Sequence, residues 1–176
     1  MIQISIKDVL LLGNPALRKT AKNVDDFSAE LNSVIRDLKD TLVHLQDQNN
    51  MGRALAAPQI GYQKQVIYSN IEGKEKIMIN PEIVNSSEEK FAVWDSCFSF
   101  ELAFFVKVFR HRQIVVKYQN TAGRKVREKF TDDLSELYQH EIDHLRGILA
   151  VDYCCESSDC SGENIVMREE WEKRYR

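Results

Sequence analysis

The chain is poor in the residues that mark linkers, disulfide scaffolds and membrane spans. Seven glycines, three prolines and four cysteines are spread over 176 residues, with no internal repeat and no low-complexity tract. Four cysteines, Cys97, Cys154, Cys155 and Cys160, do not make a disulfide framework in a chain of this length. No stretch approaches the roughly 18 apolar residues that a membrane helix needs. The opening, Met1 to Thr20, mixes Lys7, Asp8, Arg18 and Lys19 with a short apolar run, Val9 to Leu12, and lacks the basic-then-apolar order of an export signal. A dominant charge is missing too: 24 basic against 27 acidic side chains leave a net charge of −3, and the pI lies near 5.8. Without a dense Lys/Arg patch interleaved with aromatics, DNA is not an expected partner. These absences lead to the expectation of a cytoplasmic protein with no membrane attachment.

What is present suits one globular domain over residues 1–176 with a real core, since 43% of the residues are hydrophobic and 29% charged. From Asp25 to about Gln48 the apolar residues Phe27, Leu31, Val34, Ile35, Leu38, Leu42 and Leu45 recur at spacings of three and four, which predicts a long packing helix capped by Asp26 or Ser28. Asn49-Asn50-Met51-Gly52 breaks it, and a loop is expected from Arg53 to Gly61. Short strands follow at Gln65–Ser69, Lys76–Asn80 and Pro81–Val84, and a hairpin of Gln113–Tyr118 with Arg124–Phe130 turns at Asn120-Thr121-Ala122-Gly123. A charged helix from about Asn164 to Arg176 closes the chain. Strands placed before and between helices indicate an α+β fold with antiparallel sheet.

Chemistry enters with His140-Glu141-Ile142-Asp143-His144. At about 100° per residue, Leu134, Leu137, Tyr138, Ile142 and Leu145 share one sector of a helix, while Ser135, Glu136, Gln139, Asp143 and Arg146 lie roughly opposite; His140, Glu141 and His144 are expected to be half sheltered and Asp143 to face water. Asp133 with Glu136 can close its N-terminus as a capping box, and Gly147 can end it. Histidines four apart project from one side, a turn apart, so both imidazoles can meet on a single ion. Glu141 points into the apolar sector, where an ionised carboxylate is costly without a partner, and a water held by that ion is one. Hydrolysis is the chemistry this combination suits.

A catalytic site of this kind needs a third protein ligand and one open position. Glu163 and Glu170 lie downstream at metalloprotease-like distances, and Cys97 upstream competes as a strong thiolate ligand. Cys154, Cys155 and Cys160 match no common ligand spacing and read as surface thiols. Taken together, four segments resemble the peptide deformylase family in its own order: Gly13-Asn14-Pro15-Ala16-Leu17-Arg18, Gly52-Arg53-Ala54-Leu55-Ala56-Ala57-Pro58-Gln59, Asp95-Ser96-Cys97-Phe98-Ser99 and Gln139-His140-Glu141-Ile142-Asp143-His144-Leu145. The similarity runs up to about Tyr153.

The resemblance implies antiparallel sheets packed around a central metal-binding helix. It also implies one divalent ion on Cys97, His140 and His144, ferrous iron in the cell with zinc, nickel or cobalt accepted. Glu141 would carry the proton, and the Gln59 amide and the Phe98 N–H would meet the developing oxyanion. The implied substrate is an N-formylated peptide or nascent chain, with formate as product and the ribosome as an implied partner. Two other readings stand beside it: an amidase on the same scaffold acting on a polar formylated substrate, and a non-catalytic peptide binder. Departures from the family pattern sharpen these. Asp95 replaces Glu and is expected to pair with Arg110, while Ser96 and Ala54 replace glycines and need a negative φ. The implied substrate pocket comprises Gly52, Arg53, Ala54, Asp133, Glu136 and Leu137, where three charges replace apolar residues and make a poor slot for methionine.

Overall fold

In the computed structural model, which describes residues 4–156 and 164–175, helix α1 spans Ala29–Asn49; Ser28, one of the two expected caps, holds the N-cap position but its side chain makes no capping bond. Asn50 ends it in the left-handed region, φ 52°, which asparagine tolerates better than most residues. Its buried side carries Leu31, Val34, Leu38 and Leu42, but also Asp37 and Thr41. Both polar residues are satisfied: Tyr62 Oη donates to Asp37 Oδ2 at 2.7 Å, and the Lys7 N–H donates to Thr41 Oγ1 at 3.0 Å.

Eight strands follow, all paired antiparallel: β1 Ala54–Ala56, β2 Val66–Ile71, β3 Lys74–Ser86, β4 Lys90–Asp95, β5 Phe104–His111, β6 Gln113–Gln119, β7 Lys125–Thr131 and β8 Ile165–Met167. Among the described residues they form a sheet of order β1-β2-β3-β6-β7 and a second of order β4-β5-β8. The expected strands at Lys76–Asn80 and Pro81–Val84 are one long strand, because a register shift between Ile79 and Glu82 absorbs Asn80 (φ 52°) and Pro81 without breaking it. The hairpin at Asn120–Gly123 forms as expected, with Gln119 opposite Lys125. The expected loop from Arg53 contains β1 and a short 3₁₀ turn, Ala57–Ile60.

Helix α2, Asp132–Leu145, sits at the centre and touches both sheets. Its N-cap is Thr131 with no side-chain bond, so Asp133 is not a cap, and Glu136 is turned to Arg53 instead of closing a capping box. Gly147, at φ 76°, does follow the helix end, and the Gly147 N–H reaches the His144 carbonyl at 3.2 Å. A Cβ there would also strike the Arg18 carbonyl, so glycine is required twice over.

The amphipathic reading of α2 needs correction. Every residue from Ser135 to Leu145 is buried, while Leu134 is 40% exposed. The polar side packs on β5 and the turn after it: Ser135 Oγ donates to the His111 carbonyl at 2.7 Å, and Gln139 Oε1 accepts the His111 N–H at 3.0 Å. Asp143, expected to face water, accepts from Arg110 and from the Tyr153 hydroxyl. A polar side with its own partners can be buried at little net cost.

After α2 comes α3, Ala150–Glu156. The expected terminal helix is shorter than expected: β8 takes its first residues and α4 covers Arg168–Tyr175. Cys154, expected as a surface thiol, is buried on α3 with Leu17, Val106 and Leu149. The Cys155 side chain and Cys160 lie outside the described residues. No helix among the described residues is long and apolar enough to cross a membrane.

Candidate active site

Three elements converge on one point. α2 brings His140 and His144, whose Nε2 atoms lie 3.1 Å apart. The end of β4 and the 3₁₀ turn Phe98–Phe100 bring Cys97. One ligand atom from each of Cys97, His140 and His144 lies within 4.8 Å of the other two, and all three residues are buried. The competing carboxylates are not part of this group: Glu170 pairs with Arg174 on α4, and Glu163 lies outside the described residues.

The histidines are oriented from behind. Asp95 Oδ1 sits 2.8 Å from His140 Nδ1, which leaves Nε2 as the free nitrogen facing Cys97 and His144. Asp95 Oδ2 accepts from Arg110 at 2.9 Å, the pair expected from the sequence, and Arg110 reaches on to Asp143. The shorter carboxylate at position 95 therefore still reaches its arginine. Burial alone raises the Asp95 carboxyl, but His140 and Arg110 hold it well below the usual carboxylate range. Burial lowers the Arg110 guanidinium, and Asp95 and Asp143 outweigh this and keep it fully charged. His140 is pulled the same two ways: burial lowers it, and Asp95 raises it well above the ordinary histidine value. His144 is pushed well below that value, first by burial and then by the nearby His140 charge. Its Nδ1 is buried without a partner among the described residues.

Glu141 Oε2 is likewise buried without a hydrogen-bond partner. Burial pushes this carboxyl up to about 7, with Asp95 and Glu136 adding to the rise. A carboxyl that changes protonation near neutrality suits a group that takes and returns a proton. Gln59 is fixed on the 3₁₀ turn after β1: its Oε1 accepts the Ala56 N–H at 2.9 Å and its Nε2 donates to Ser99 Oγ at 3.3 Å. One amide proton remains, because an amide nitrogen carries two. Phe98 opens the 3₁₀ turn after Cys97, so its N–H has no partner within that turn.

Ser96 and Ala54, which stand where glycine was the reference, both avoid positive φ. Ser96 Oγ donates to the Phe104 carbonyl at 2.7 Å and ties β4 to β5. A cavity of about 140 Å³ lies beside the Cys97, His140 and His144 group, and Gly52, Arg53, Ala54, Glu136 and Leu137 line it. Asp133 does not; it is exposed, and only its carbonyl approaches Arg53, at 3.4 Å. Sequence reasoning did not single out Trp94, Leu102 and Phe105, which also line the cavity. β4 and β5, which carry two of them, were not foreseen as strands, although Val106–Arg110 alternates in burial.

Other proteins share this sequence and fold over most of the chain. A sequence profile described as polypeptide deformylase matches residues 6–159. The peptide deformylase of Pseudothermotoga lettingae is 39% identical over 147 residues, 84% of this chain and 82% of that protein. The crystal structure of peptide deformylase from Thermotoga maritima superposes with a TM-score of 0.78 at 34% identity, covering 84% of this chain and 97% of that one. A peptide deformylase from Synechococcus elongatus, solved in complex with actinonin, gives a TM-score of 0.78 at 31% identity over 87% of this chain and 80% of its own. With a Cys, two His and a Glu buried together on this fold, and with these relatives sharing most of its length, the chain belongs to the polypeptide deformylase family.

Proposed function

We propose that this chain is a metal-dependent hydrolase that removes the formyl group from the N-terminal methionine of newly made polypeptides and releases formate. The observation that carries it is the meeting of Cys97, His140 and His144 in a chain of the deformylase family, with Glu141, whose buried Oε2 has no partner among the described residues, lining the cavity beside them.

The donor set fits a divalent ion on its own terms. One cysteine sulfur and two imidazoles would supply three protein ligands, and Asp95 on His140 Nδ1 leaves Nε2 available for an ion. Cys97, His140 and His144 would hold it; ferrous iron is the ion proposed for the cell, and the same donors would also serve zinc, nickel and cobalt. When bound, the ion polarises the formyl carbonyl and makes water a stronger acid.

The side chains account for the rest. Glu141 accepts the proton of the attacking water and delivers it to the departing amine. The Gln59 amide and the Phe98 N–H donate to the oxygen that becomes negative on the formyl carbon, and each such donor is worth on the order of 3 kcal/mol in the barrier. Residues around the 140 Å³ cavity hold the side chain next to the amide. The substrate is a nascent chain at or near the ribosome in the cytoplasm.

Formate release from formyl-Met peptides by anaerobically purified, iron-loaded protein tests this reading. Glu141→Gln is expected to keep its metal and lose about 10²- to 10⁴-fold in kcat. Full activity in that variant, or no formate from the unsubstituted protein, overturns it.

A further inference from the structure

The lining of the cavity beside Cys97 and Glu141 is of two kinds. Leu102, Phe105 and Leu137 are apolar; Arg53 and Glu136 are a charged pair that makes a polar wall. Arg53 Nη2 donates to Glu136 Oε2 at 2.6 Å, so the loop before β1 is tied to helix α2 at the cavity. The Glu136 side chain is 12% exposed and that of Arg53 40%. Because Glu141 and Cys97 line the same cavity, a side chain next to the amide being cut that enters it meets this pair as well as the apolar residues.

What such a wall accepts follows from its hydrogen-bonding capacity. A guanidinium has five N–H donors, and two of the described acceptors, Glu136 Oε2 and the Asp133 carbonyl, engage Arg53. A carboxylate accepts more bonds than the single one Arg53 gives Glu136. A thioether laid on this wall removes water from both groups and returns no hydrogen bond. A charged side chain of either sign meets the like-charged member of the pair. A carboxamide avoids both costs: its carbonyl accepts from Arg53 while its NH₂ donates to Glu136.

We propose that the Arg53–Glu136 pair sets the side-chain preference of this enzyme, and that the cleft takes formylated amines whose first side chain carries an uncharged hydrogen-bonding group, a carboxamide above all, alongside methionine. The proposal rests on the deformylase reading and names its substrate class.

The test compares formyl-Gln and formyl-Met tripeptides of otherwise identical sequence. The readouts are kcat/KM for formate release by iron-loaded protein, and calorimetric binding of both peptides to iron-loaded Glu141→Gln, each with and without the double substitution Arg53→Ile/Glu136→Ile. Changing both residues leaves neither charge stranded. The Gln-to-Met ratio is expected to fall about tenfold or more in the double variant, in rate and in binding alike, since a site built to hydrogen-bond a side chain discriminates on that bond. Arg53→Leu/Glu136→Gln, which keeps the helix position polar, gives a second reading should the first variant fail to fold, and the ratio is expected to fall there too. An unchanged ratio in the folded variants overturns the proposal. If no peptide yields formate, the deformylase reading falls, and the binding ratio still decides the role of the pair.

Discussion

At the scale of single residues, the site depends on groups whose alternatives differ by one atom or one methylene. Cys97→Ala removes the sulfur and leaves two imidazoles, too few for a stable catalytic ion. Metal content by elemental analysis is expected to drop from about one ion per chain to near zero, whereas a site completed by a downstream glutamate would stay loaded. Gly52 is held at φ 101°, and a Cβ there would run into the Phe98 ring. Gly52→Ala is therefore expected to cost more than about 1 kcal/mol of stability, measured by urea unfolding, and to lower kcat as well, because Phe98 must shift next to Cys97. Loss of stability without loss of kcat would separate the glycine from the chemistry.

At the scale of elements, α1 shows how a polar group can anchor a packing helix. Burial raises the Asp37 carboxyl, but hydrogen bonding from Tyr62 and Ser5 and the Lys7 charge outweigh it and hold the group below its ordinary value. A carboxyl depressed in the folded state stabilises above its unfolded pKa, near about 4, and that contribution fades as pH falls through the folded value. Asp37→Asn should therefore melt at a lower temperature than the parent at pH 6, and the gap should close towards pH 3. A gap that stays constant with pH would remove the carboxylate from the account. α2 makes the same point more strongly, since its polar side is buried on β5 and not in water.

At the scale of the whole molecule, Arg110 on β5 is the link. It is 3% exposed and joins Asp95 on β4 to Asp143 on α2, and its guanidinium lies 4.8 Å from the centre of the Tyr153 ring on α3. Arg110→Leu strands two buried carboxylates, which is expected to cost about 3–5 kcal/mol. Thermal melts and metal titrations should change together, with weaker ion binding as the Asp95 carboxylate that orients His140 loses its anchor. Unaltered metal affinity in a destabilised variant would show the link to be structural only.

How much of this was legible in the sequence can be judged residue by residue. The spacing of His140 and His144 and the recurrence of Leu31, Val34, Leu38 and Leu42 placed both main helices, since helical period is a local property. The hairpin at Asn120–Gly123 is local in the same way. Matching segments far apart in the chain brought Cys97 to the histidines and Asp95 to Arg110, and the geometry agrees with both. Periodicity failed for Ser135, Gln139 and Asp143, because it ranks residues by polarity and cannot see that His111, Arg110 and Tyr153 wait on the other side. Ligand spacing was no better a guide for Cys154, whose cover comes from Leu17 and Val106 far away in the chain, and no local pattern could show the Arg53–Glu136 bond, whose partners are 83 residues apart. Local pattern determined which residues could carry the chemistry; only the packing of distant segments decided which charges face each other, because burial and pairing are properties of the folded neighbourhood.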